Sequence, residues 1–80
     1  SISKLNEIFQ IHRNKKAIFF ESQELTYQDL INAINVRQNY ARKRQVQPGD
    51  KVAILTDSRL DQLLWGLTAL FEGLTYVPIN

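Results

Sequence analysis

The side chains able to do chemistry in this 80-residue chain are few and scattered. There is one histidine, His12, and there is no cysteine. A zinc site needs three or four convergent nitrogen or sulfur ligands, so His12 reads as part of a helix surface. Asp50, Asp57 and Asp61 flank the end of an apolar run. Open α/β folds place ligands there, so a catalytic carboxylate is conceivable. The competing reading gives each a local task, as a turn residue, a loop residue and a helix cap respectively. Arg37, Arg42, Lys43 and Arg44, with Arg13, Lys15 and Lys16 elsewhere, raise the question of a nucleic-acid patch. The last three of the first group fall at a helix C-terminus, where cations are favoured anyway, and no aromatic residues interleave to stack on bases. A formal charge of +2 gives little pull on a polyanion, so no nucleic acid is expected. Gly49, Gly66 and Gly73 stand too far apart for a phosphate-cradling loop, and no GxSxG elbow occurs. The residues themselves give no catalytic, cofactor-binding or metal site.

Composition bounds what must position these groups. Hydrophobic residues make up 44% and charged residues 22%, an ordinary globular balance. Without cysteine, neither a disulfide staple nor a thiolate metal site stabilises the fold, which therefore rests on packing. The longest apolar stretches, Ala17-Ile18-Phe19-Phe20 and Val52-Ala53-Ile54-Leu55, fall far short of the roughly 20 residues that cross a bilayer. No membrane span is expected. The opening Ser1-Ile2-Ser3-Lys4 has neither a secretory apolar core nor an initiator methionine, which reads as a cytoplasmic chain with a trimmed start.

Periodicity then supplies the elements. Leu5, Ile8, Phe9 and His12 predict a short amphipathic helix from Lys4 to Asn14. Ala17–Phe20 and Leu25–Tyr27, around the polar Glu21–Glu24, predict a small hairpin. Thr26 followed by Asp29 is a capping pattern, so a helix starts near Tyr27 and runs along Leu30, Ile31, Ile34 and Ala41 to Arg42-Lys43-Arg44. Arg37 and Gln38 interrupt its stripe. After a turn at Gln47-Pro48-Gly49-Asp50, Lys51–Thr56 reads as a buried strand, and Ser58 with Asp61 caps the next helix. That helix carries Leu60, Leu63, Leu64, Leu67, Leu70, Phe71 and Leu74 on one broad face and stops at Gly73. Trp65 projects beside this face, as the flank of a core or against an element outside these residues. Thr75–Ile79 is a further strand. Strand, helix and strand make a βαβ unit, whose strands run parallel. The fold class is α/β: a βαβ-containing layered fragment with a mostly parallel sheet and flanking helices, preceded by a small hairpin. A chain ending at Asn80, straight after an interior strand, reads as the front of something longer.

Three stretches carry a family resemblance. Leu25-Thr26-Tyr27-Gln28-Asp29-Leu30 resembles the L-T-Y-x-E-L element of adenylate-forming enzymes, the superfamily of acyl-CoA synthetases, peptide-synthetase adenylation domains and luciferases. Val46-Gln47-Pro48-Gly49-Asp50-Lys51-Val52-Ala53-Ile54-Leu55 is similar to the G-V-x-P-G-D-R-V-A-I-L segment of that family. Leu70-Phe71-Glu72-Gly73-Leu74-Thr75-Tyr76-Val77-Pro78-Ile79-Asn80 resembles L-K-A-G-A-x-Y-V-P-L-N/D. Order and spacing agree across all three. Departures are Arg37 where the family has an apolar residue, Gln45 where it often has glycine, and Phe71-Glu72 where Lys-Ala is common. Asn80 in place of aspartate leans towards acyl-CoA synthetases.

The resemblance implies a two-step ligase that forms an acyl-adenylate from ATP and a carboxylic acid and then passes the acyl group to a thiol, commonly coenzyme A. Magnesium would bridge the phosphates. In that family the phosphate loop, the nucleotide contacts and the catalytic lysine lie further along the chain, so no site residue transfers to these positions. Residues 1–80 are thus expected to be an N-terminal subdomain fragment of a larger ligase, most simply an acyl-CoA synthetase. Alone, the fragment is inactive and binds no cofactor, and its partner is the remainder of its own chain. The alternatives are a peptide-synthetase adenylation fragment and a complete non-enzymatic α/β module that binds a partner around Trp65.

Overall fold

The computed structural model describes residues 2–79, apart from the side chains of Phe19 and Phe20. The chain divides into two compact units, one through Ala33 and one from Ile34 onward.

The first unit opens with helix α1, Ile2–Ile11. Phe9 is its buried residue, while Ile8 and Ile11 remain exposed. The helix starts and ends earlier than the Lys4–Asn14 expected, because the chain tightens after Ile11. The amide of Arg13 donates to the Gln10 carbonyl and that of Lys15 to the His12 carbonyl, both three residues back. Strands β1, Lys16–Phe20, and β2, Gln23–Thr26, pair antiparallel as the expected hairpin. Its turn is shorter than the polar run suggests, only Glu21 and Ser22, and Glu21 adopts a positive φ of 55°. An irregularity between Lys16 and Ile18 shifts the register.

Helix α2, Tyr27–Lys43, begins on a reciprocal capping box. The Asp29 amide donates to Thr26 Oγ1 at 3.1 Å, and the Thr26 amide donates to Asp29 Oδ2 at 2.9 Å. The next two orphan donors are also satisfied, since the Tyr27 and Gln28 amides reach the carbonyls of Lys15 and Arg13. Tyr27 itself packs edge-on against Phe9, with ring centroids 5.2 Å apart. Leu30, Ile34 and Ala41 are buried along α2, as its stripe predicts.

In the second unit, α2 ends in a Schellman turn. The Val46 amide donates to the Ala41 carbonyl and the Gln45 amide to the Arg42 carbonyl. This motif places Gln45 at φ 60°, a left-handed conformation that suits glycine. Strands β3, Lys51–Leu55, and β4, Thr75–Ile79, then pair parallel in register, Lys51 opposite Thr75 and Leu55 opposite Ile79. They flank helix α3, Arg59–Glu72, and so complete the βαβ unit. The hairpin forms a two-stranded sheet of its own.

Both ends of α3 follow the sequence expectation. Ser58 caps its start by accepting from the Asp61 amide, and Gly73 ends it at φ 68°, with its amide and that of Leu74 on the Ala69 carbonyl. Gly49, at φ 92°, donates its amide to the Gly73 carbonyl at 2.7 Å, which ties the turn before β3 to the stop of α3.

Burial differs from expectation in two respects. Strand β3 is not buried throughout: Val52 and Ile54 are half-buried, whereas Ala53 and Leu55 are exposed, as are Val77 and Ile79 on β4. A two-stranded sheet with a helix against it covers one face only. On α3, small residues lie deepest: Thr68 is 0% exposed and Ala69 5%, while Leu63 and Leu70 of the expected leucine face are exposed. The Thr68 hydroxyl bonds back to the Leu64 carbonyl at 2.7 Å, so its burial leaves no unmet donor. Gly66 lies against the Tyr76 ring, where an added Cβ would stand 3.7 Å from the ring edge.

Candidate functional site

The three carboxylates near the strand end do not converge. Asp50 Oδ2 accepts from the Gln47 amide at 2.8 Å and closes the turn before β3. Asp57 is exposed in the loop after β3. Asp61, in the first turn of α3, turns to α2 and pairs with Arg37 at 2.7 Å. His12 follows the last turn of α1 with its ring 6.3 Å from that of Tyr27, partly buried. Among the described residues no group of three or more His, Cys, Asp or Glu side chains gathers to hold a metal ion. These described side chains do not fit magnesium, which needs oxygen ligands that converge.

The basic residues are largely engaged. Arg42 bonds Glu72 at 2.9 Å and Lys16 pairs with Glu24 at 3.1 Å. Arg13 caps the Gln10 carbonyl. Arg44 lies over the Tyr40 ring, 3.4 Å from its centroid, and also donates to the Tyr40 carbonyl.

What the fold does assemble is a polar and aromatic seam between α2 and α3. Trp65 meets Tyr40 edge-on at 5.8 Å, and the Arg37 guanidinium stands 5.8 Å from the Trp65 ring while it bonds Asp61. The Arg37 side chain is 19% exposed and that of Asp61 32% exposed. Arg37, which interrupts the stripe in the sequence, thus joins the two helices, as Arg42 does through Glu72. The partner of Arg37 lies 24 residues further on. Spacing alone could not pair them, although an arginine on a packed face together with a second acid-bearing helix was the available signal. Trp65 is half-buried within this seam, and the Tyr40 it meets remains exposed. A shallow depression on the outer side of α2 is lined by Val36, Asn39, Tyr40, Lys43 and Arg44 and brings no acid or nucleophile together.

No protein-family model matches the chain. Among curated proteins it is 36% identical over 67 residues to tyrocidine synthase 3 of Brevibacillus parabrevis, which covers 84% of this chain and 1% of that protein. It is also 36% identical over 64 residues to bacitracin synthase 2 of Bacillus licheniformis, covering 80% of this chain and 2% of that one. The chain therefore spans only 1–2% of the length of these relatives. Its fold matches the N-terminal subdomain of NpsA from Klebsiella oxytoca with a TM-score of 0.82 at 23% identity, over 99% of this chain and 21% of that one. A fused adenylation–PCP di-domain of NpsA and ThdA, from the same organism, matches with a TM-score of 0.80 at 25% identity, over 99% of this chain and 15% of that one. The chain is a segment of the adenylate-forming superfamily. Within it, the segment has the fold of an adenylation-domain N-terminal subdomain.

The relatives named here are peptide synthases, so they favour the peptide-synthetase alternative over the acyl-CoA synthetase expected from the sequence. That expectation leaned on Asn80, which lies outside the described residues. No described helix is long and apolar enough to cross a membrane.

Proposed function

We propose that these residues are the N-terminal subdomain of a peptide-synthetase adenylation domain, part of a larger ligase that activates the carboxylate of an amino acid with ATP and passes it to a thiol. The observation that carries this reading is the 36% identity to peptide synthases across more than four-fifths of the chain. The fold likeness to NpsA supports it. In this reading ATP, magnesium and the carboxylate bind elsewhere in the parent, the thiol belongs to a carrier domain rather than to free coenzyme A, and the reaction runs in the cytoplasm, where ATP is supplied. The role of this subdomain is to scaffold. Its caps, turns and helix seam hold a parallel strand pair on which further parts are built.

The test is pyrophosphate exchange into ATP by the full parent protein, over a panel of amino acids and fatty acids. Exchange driven by one or a few amino acids is the expected result. Exchange driven by fatty acids alone would restore the acyl-CoA synthetase reading, and the absence of exchange with every acid would overturn the ligase.

A further inference from the structure

We draw no further inference here: the strongest candidate, the open apolar face of the parallel strand pair formed by Ala53, Leu55, Val77 and Ile79, carries none because nothing in the structure shows what covers it.

Discussion

The Arg37–Asp61 pair makes a sharp energetic prediction. Its side chains are 19% and 32% exposed, between the solvated pairs that contribute about 0–1 kcal/mol and the buried pairs whose disruption costs about 3–5 kcal/mol. Asp61→Asn removes the carboxylate that the more buried guanidinium bonds at 2.7 Å, at an expected cost of about 2 kcal/mol. Arg37→Met keeps an apolar stem against Trp65 and leaves only the more exposed carboxylate, which water can reach, so its cost is about 1 kcal/mol. In the double variant neither charge remains stranded. The coupling across the cycle should then be about 1 kcal/mol, with the double variant less destabilised than the two single costs together. Urea denaturation followed by fluorescence reads this directly, because Trp65 is the one tryptophan and sits in the seam. Part of the coupling should fade at high salt, as the carboxylate is within reach of solvent. Coupling below about 0.3 kcal/mol, or a larger loss from Arg37→Met than from Asp61→Asn, would refute the view that the pair joins α2 to α3 as a unit.

Other substitutions test the backbone reading. Gln45→Gly relieves a left-handed residue at the end of α2 and should stabilise the fold by roughly 0.5–1 kcal/mol, whereas Gly73→Ala should cost about 1 kcal/mol through its φ of 68° alone, since the added Cβ would meet Pro48 at an ordinary 3.7 Å; thermal melts of both variants decide. Gly66→Ala should raise helix propensity in α3 by roughly 0.5–1 kcal/mol with no clash against Tyr76, and a fall in melting temperature would show that the α3–β4 contact has no room for a methyl group. Thr26→Val removes the hydroxyl that receives the Asp29 amide and should cost about 1 kcal/mol, visible as a lower urea midpoint with an unchanged slope.

Most of the architecture was legible in the sequence, and the reasons are local. The starts of α2 and α3 follow from side chains that accept backbone amides three residues on, at Thr26 and Ser58, and the parallel pairing follows from a helix between two apolar runs. The misses share another cause. Whether Leu55 or Leu63 is covered depends on what packs against it, and periodicity reports a face without reporting its neighbour. A strand of continuous apolar residues reads as buried on both sides, yet β3 alternates because its helical cover lies on one side. The Arg37–Asp61 pair escaped for a related reason: it joins two elements, Asp61 already had a local explanation as a cap, and Arg37 showed only as an interruption of a stripe.

The three stretches that carry the family resemblance are where the backbone makes its most specific demands. Thr26 and Asp29 close a capping box, Gly49 donates its amide to the carbonyl of Gly73 across the base of the strand pair, and Gly73 takes the left-handed turn that lets β4 return beside β3. Few residue types meet such demands, whereas a buried leucine can be exchanged for other apolar residues of similar volume. A segment without catalytic side chains can therefore still carry a family resemblance, because the stretches that carry it fix where helices and strands stop and start. Gln45 bears this out from the opposite side. It departs from the glycine often found there, yet the chain still adopts the left-handed turn at 60°, held by two backbone hydrogen bonds from Gln45 and Val46. The strain at Gln45 is small enough for that closure to offset, at about 1–2 kcal/mol for a residue with a Cβ, of which glycine's own entropy cost leaves roughly 0.5–1 kcal/mol to be gained, so one departure weakens the turn without redirecting the chain.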